Sequence, residues 1–193
     1  MPFDLYKNMQ LHRNSQKRYY LKDTVYFITT NTYQGLEYFK EPILCDLLIE
    51  NLRICKELKQ FSLYAFCVLY NHVHLLLKPE NKYNISKIMQ NLKMNTARNI
   101  NKIINHKQIE GENTYSRLRL NKYYQQSIQI YDKNQIIITK FIWQQSYHDH
   151  IIRNYCDLEN HYRYTADNFQ KHGLPMDWLY TSLNYPDLID LTS

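Results

Sequence analysis

The chain has 193 residues, 44% of them hydrophobic, which is enough for one domain with a real core. No apolar run approaches the length needed to span a bilayer, and Met1 to Tyr20 carries polar and basic residues throughout, so a soluble, intracellular chain is expected. Four cysteines, Cys45, Cys55, Cys67 and Cys156, lie far apart with no C-x-x-C pair; neither a zinc knuckle nor a disulfide framework is suggested, and they read as buried thiols. The net charge is +6 and the pI about 9.0, but the excess is regional. Lys78 to Lys140 holds twelve Lys/Arg against four Asp/Glu, a balance of +8, leaving the remainder slightly acidic. Tyrosine occurs 19 times, and those near basic residues could stack on bases or bond phosphates. An Asn-, Ile-, Lys- and Tyr-rich composition with three glycines also fits an AT-rich genome.

Thr24 to Thr30 is β-branched and aromatic and predicts a first strand. Pro42 to Lys59 places Ile43, Leu47, Leu48, Leu52 and Leu58 near helical spacing, with proline in the first turn. Phe61 to Leu69 and His72 to Lys78 are strand-like and joined tightly at Tyr70-Asn71, which predicts a hairpin. Ile85 to Ile104 sets Ile85, Ile88, Met89, Leu92, Ile100 and Ile103 on one helical face, with Lys87, Lys93, Arg98 and Lys102 largely off it. From about 105 to 140 the pattern weakens into a basic, aromatic region, with a possible strand at Gln135 to Ile142.

Asn154 is placed to cap a helix starting near Tyr155, with Asp157 in a capping-box-like position and Lys171-His172-Gly173 as a basic last turn and stop. On a wheel, Leu158, Tyr162, Thr165 and Phe169 share an arc of about 60°, and Asp157, His161, Tyr164 and Asn168 share another. Tyr162 is therefore expected to pack, while Tyr164 joins the polar stripe. The elements together predict an α+β fold with helices on one face of an antiparallel sheet. One domain is expected over residues 1–193, with a basic region at about 105–140 that reads as an insertion and a tail from about 174.

The chemistry concentrates in Asn71-His72-Val73-His74-Leu75. Strand side chains alternate, so His72 and His74 share one face and Val73, Leu75 and Leu77 the other. Two imidazoles so placed could hold a divalent metal, or could be polar residues on a half-exposed strand. Adding an Asn168 amide oxygen would give a mixed N/O set suited to Mn²⁺ or Mg²⁺, with open positions for phosphate and water. Tyr164 lies one turn from Asn168, and its phenol needs a metal or base to become a nucleophile near neutral pH. Lys87, Lys93, Arg98, Arg117, Arg119 and Arg153 are candidate phosphate contacts, though a charge run can equally be a solvated face. Trp143 and Tyr147 could be ordinary core aromatics, and His148 to His150 a solvated turn.

Tyr70 to Leu76 resembles the HUH motif of single-tyrosine transposases, and the fuller match is to the REP-associated tyrosine transposases. Val25 to Thr29 is similar to that family's first strand, Trp143 to Asn154 to its WQ…YxDHxIR segment, Tyr164, Asn168 and Lys171-His172-Gly173 to its catalytic helix, and Asp177 to Ser182 to its tail motif. The resemblance implies a ferredoxin-like HUH-endonuclease fold with the HUH strand central. It implies Mg²⁺- or Mn²⁺-dependent cleavage of single-stranded DNA at hairpin repeats through a 5′-phosphotyrosine. His72, His74 and Asn168 would be metal ligands and Tyr164 the nucleophile. It further implies a cytoplasmic, nucleoid-associated bacterial-type protein, a monomer or homodimer. Phe169 stands where members usually have proline, and the 105–140 region is longer than in short members. Two other readings remain: a domesticated, non-cleaving hairpin-binding module, and an RNA-binding or metal-hydrolase domain that leaves Tyr164 without a role.

Overall fold

The computed structural model describes residues 19–80, 82–105 and 140–190. The β-branched and aromatic run forms β1 (Tyr26–Asn31), and the proline-led segment forms α1 (Pro42–Lys59). The two apolar runs form β2 (Phe61–Leu69) and β3 (His72–Pro79), and the amphipathic stretch forms α2 (Ile85–Asn105). A short β4 (His148–Ile151), α3 (Tyr155–Ala166) and the single turn α4 (Asn168–Lys171) follow. Pro42 sits where its missing N–H would have no helical partner, and Gln60 ends α1 in the left-handed region at φ 49, its N–H donating to Lys56 O.

The strands form one antiparallel sheet in the order β2-β3-β1-β4. With α1 and α2 as the crossovers, this is the β-α-β-β-α-β ferredoxin-like arrangement, and the histidine-bearing β3 is a central strand. Its register divides the chemistry. Val73, Leu75 and Leu77 pair with Thr30, Ile28 and Tyr26 on one side and with Val68, Phe66 and Leu63 on the other. That face packs under α1 and α2 through residues such as Leu44, Leu48, Leu52, Ile88, Met89 and Leu92. A bulge between Leu63 and Ala65 lets Tyr64 lie on the opposite face with Ala65 and Leu76.

Helices on a single face describe α1 and α2 but not α3. Phe27, Ala65 and Leu76 make the second face apolar as well, and α3 covers it through Leu158. An apolar sheet face must be buried against another element, which is why the tyrosine-bearing helix comes to rest over the histidines. The exposed edge of β2 is closed by the tail: Val68 N donates to Tyr180 O (2.8 Å) and Trp178 Nε1 donates to Val68 O (2.8 Å).

Other expectations shift. His148 to His150 is an edge strand rather than a turn, pairing along β1, while Trp143 and Tyr147 are core residues. Cys156 is exposed, unlike Cys45, Cys55 and Cys67. Tyr162 is exposed rather than packed, because α3 meets the sheet through the half-buried Leu158 and His161 and the buried Thr165. Residues 135–139 of the proposed strand lie outside the described residues, and Lys140 to Ile142 are not strand. Leu75 is fully buried between Ile28 and Phe66. Leu75→Ala should lower unfolding free energy by about 2–5 kcal/mol, against less than about 0.5 kcal/mol for the exposed Leu179→Ala, as read by urea denaturation.

Candidate active site

The site is built on the second sheet face. His74 is 4% exposed and pairs with Thr29 and Cys67; His72 pairs with Asn31 and Leu69. Each ring is held through its Nδ1. His72 Nδ1 donates to Asn71 Oδ1 at 2.7 Å, and His74 Nδ1 lies 2.9 Å from Thr29 Oγ1. Both Nε2 atoms are thereby left to face a ligand, which is how partners behind metal-binding histidines fix ring orientation. The rings stand 4.9 Å apart in a T-shape. Burial pushes the His72 pKa down to about 4, helped by His172; burial pushes His74 down to about 3, helped by His72 and His172. Both are neutral at physiological pH, with lone pairs available.

The tyrosine helix starts where the sequence places it: Asn154 Oδ1 accepts from Asp157 N at 2.9 Å. Asp157 does not complete a capping box; its carboxylate accepts instead from Arg153 N. The helix also ends early. At Asp167 (φ −100, ψ 7) the chain breaks, and Asn168 begins α4 rather than continuing α3. Thr181 Oγ1 donates to Ala166 O at 2.8 Å, tying the break to the tail. Phe169, in place of the expected proline, packs with Leu174 onto Cys67 and Leu69. That packing turns Asn168 inward, where it is fully buried.

Asn168 is the observation that bears on a metal. Its Oδ1 and Nδ2, and His74 Nε2, are buried with no hydrogen-bond partner. The amide is close enough to His74 to oppose its pKa shift, yet without hydrogen-bond geometry. Orphaned buried polar atoms are costly, and two ring nitrogens with an amide oxygen are an N/O donor set that a divalent cation satisfies. The residues therefore fit such an ion.

Tyr164 stands beside this group. Its ring makes edge contacts with His74 at 5.5 Å and Phe27 at 5.7 Å, and it is 36% exposed, so it lies between the imidazole pair and solvent. Lys171 Nζ lies over the same ring, 4.2 Å from its centroid, and His172 meets His72 at 4.9 Å. The sequence marks Lys171 and His172 as a helix stop and as part of the stretch resembling the family's catalytic helix, without placing them against Tyr164 or His72; their approach depends on the break at Asp167, which carries no clear local signal. A cavity of about 560 Å³ opens beside His72, lined by Asn31, Tyr33, Gln34, Gln144 and His172 among others.

The sequence-selected cations are not gathered here. Lys87, Lys93 and Arg98 belong to α2, which packs on the opposite sheet face. Lys93 donates to Gln144 O (2.7 Å) and Ser146 O (2.9 Å), anchoring the segment that leads into β4. Arg117 and Arg119 lie outside the described residues. Arg153 is exposed just before the α3 cap.

The depressed histidine pKa values make stability pH-dependent with a definite sign. Above pH 6.5 each ring is neutral folded and unfolded; below it the unfolded chain takes up protons that the folded chain refuses until about pH 4 or 3. Metal-free protein should lose up to about 1.4 kcal/mol per pH unit per ring between these limits. Denaturant titration from pH 7 to pH 4.5 should show that His74→Gln makes this decline shallower.

Residues 27–118 match the family model described as transposase, IS200 like. The chain is 30% identical over 128 residues to a Haemophilus influenzae protein assigned as a REP-associated tyrosine transposase, a match covering 64% of this chain and 60% of that relative's length. Among solved structures it is similar to a REP-associated tyrosine transposase bound to a REP hairpin, with TM-score 0.52 and 19% identity over 91% of this chain and 87% of that one. A Deinococcus radiodurans R1 protein assigned as a transposase aligns over 81% of this chain and 93% of its own, at 18% identity and TM-score 0.45. The chain is thus similar to the IS200-like transposases over residues 27–118 and shares the fold of the solved REP-associated tyrosine transposase.

Proposed function

We propose that the chain cleaves and rejoins single-stranded DNA at hairpin-forming repeats, with Tyr164 as nucleophile and His72, His74 and Asn168 holding a Mg²⁺ or Mn²⁺ ion. The observation that carries this reading is the set of orphaned buried atoms, His74 Nε2 and the Asn168 amide, lying on the sheet face that Tyr164 adjoins. When bound, the ion supplies positive charge that polarises the phosphodiester and steadies the transferring phosphoryl group. Asn71 and Thr29 hold the imidazoles in one orientation. Phe27 and Lys171 confine the Tyr164 ring from two sides, and the Lys171 ammonium adds charge where a phosphate would arrive.

In the reaction, Tyr164 Oη gives its proton to solvent and attacks phosphorus, while the departing 3′ oxygen takes up a proton from solvent. The new bond is a 5′-phosphotyrosine; the bond that breaks releases a free 3′-hydroxyl, and attack by a 3′-hydroxyl reverses the step. A hairpin substrate is favoured because the similar solved transposase is bound to a REP hairpin. Of the cations, Arg153 and Lys171 are the proposed phosphate contacts near the chemistry, and the basic stretch at about 105–140, with Arg117 and Arg119, is proposed as a further grip on the backbone. Lys87 and Arg98, on the far face, could touch only DNA that wraps the sheet; Lys93 is engaged in structure.

Purified protein incubated with single-stranded hairpin DNA and Mn²⁺ should yield a denaturant-resistant protein–DNA adduct that chelation prevents. Tyr164→Phe should reduce adduct formation by at least about a thousandfold while circular dichroism stays unchanged. Adduct surviving in Tyr164→Phe would refute the assignment, and tight hairpin binding with no adduct across several hairpins would favour a domesticated, non-cleaving module.

A further inference from the structure

A second group of metal-competent side chains converges away from the His72/His74 pair. His150 on β4 lies across from Phe27 in register, and Asp157 and His161 stand one turn apart on α3. His150 Nε2 is 3.0 Å from Asp157 Oδ2, His161 Nδ1 is 2.9 Å from both Asp157 Oδ1 and the Asp157 carbonyl oxygen, so that an ion would take the place of the proton Nδ1 shares with them, and one ligand atom from each residue falls within 4.8 Å of the others. The Phe27 ring stands between this group and the first site, 4.8 Å from His161 and 5.3 Å from His74.

We infer that His150, Asp157 and His161 form a separate site for a borderline transition ion such as Zn²⁺, which would pin the helix carrying Tyr164 to the edge strand β4. The donor set decides the class of ion. Two imidazole nitrogens and one carboxylate oxygen suit Zn²⁺ or Co²⁺, whereas Mg²⁺ and Ca²⁺ prefer oxygen throughout. The nitrogen–oxygen separations are close to the roughly 3.3 Å edge of a tetrahedron with bonds of about 2.0 Å. The α3 spacing of four residues puts Asp157 and His161 on one face without distortion. Arg153 N, donating to Asp157 Oδ2 at 3.0 Å, acts as the outer partner that fixes the carboxylate. The two imidazoles are stacked, 4.6 Å apart and 15° from parallel, so their lone pairs converge only once one ring turns. His150 is the freer ring, with its side chain 38% exposed against 24% for His161. The same exposure gives an ion its way in and leaves a fourth position for water.

The opposing account is a hydrogen-bonded clamp that needs no metal, with Asp157 already satisfied by its two imidazoles. Co²⁺ titration of the full chain, followed by calorimetry and visible absorption, separates the two without measuring DNA cleavage. The His72→Ala/His74→Ala chain should still bind one equivalent, with the visible bands of a four-coordinate site, and Zn²⁺ should displace it. In that chain and in the parent, His150→Gln should lower the stoichiometry by one equivalent, and Asp157→Asn should weaken this binding at least about tenfold. Circular dichroism checks that each metal-free variant is folded; should Asp157→Asn unfold, the partly exposed His150→Gln decides alone. Absence of Co²⁺ and Zn²⁺ binding in the His72→Ala/His74→Ala chain, or unchanged stoichiometry in His150→Gln, overturns the proposal in favour of the clamp. Neither outcome depends on Tyr164 being a nucleophile.

Discussion

The period-two alternation of β3 is the constraint on which the rest depends. Val73, Leu75 and Leu77 must be buried under α1 and α2, so His72 and His74 have no choice of face. A slip of one residue in register would bury two imidazoles in the main core and expose three apolar side chains. The energy that fixes the site is therefore the hydrophobic energy of the fold, not any interaction among the site residues. Because β3 is paired on both edges, the imidazoles sit on a strand held from both sides.

The second constraint comes from the opposite end of the chain. Phe27, Ala65 and Leu76 leave the histidine face apolar enough to demand cover, and α3 supplies it. Covering that face brings Tyr164 against His74 and Phe27, while the break at Asp167 and the packing of Phe169 and Leu174 turn Asn168 inward. Functional groups separated by about ninety residues in sequence thus meet through two independent burial requirements. The remaining polar atoms of His74 and Asn168 are unsatisfied, a local cost that a folded protein tolerates where a ligand removes it.

Much of this was legible because it rests on local periodicity. Pro42–Lys59 and the Tyr70-Asn71 hairpin follow from spacing and turn position, and the Asn154 cap from residue type. What was hidden rests on tertiary choice. Nothing local marks His148 to His150 as an edge strand, since four residues carry too little pattern to outweigh their polarity. Tyr162 and Thr165 share a wheel arc, but the contact stripe of α3 is narrower and rotated toward His161, leaving Tyr162 in solvent. The lysines of α2 are off its apolar face as the wheel shows, but which side of the sheet that helix takes is set by the handedness and length of its connections. Lys171 and His172 were visible as residues; their nearness to Tyr164 and His72 required the bend at Asp167.

The proposed chemistry converges on one place, the space shared by His72, His74 and Asn168. Anomalous diffraction from crystals grown with Mn²⁺ locates it directly. A manganese peak is expected within bonding distance of both Nε2 atoms and of Asn168 Oδ1. A peak that leaves Asn168 uncoordinated, or ordered manganese elsewhere with none between the two imidazoles, would contradict it.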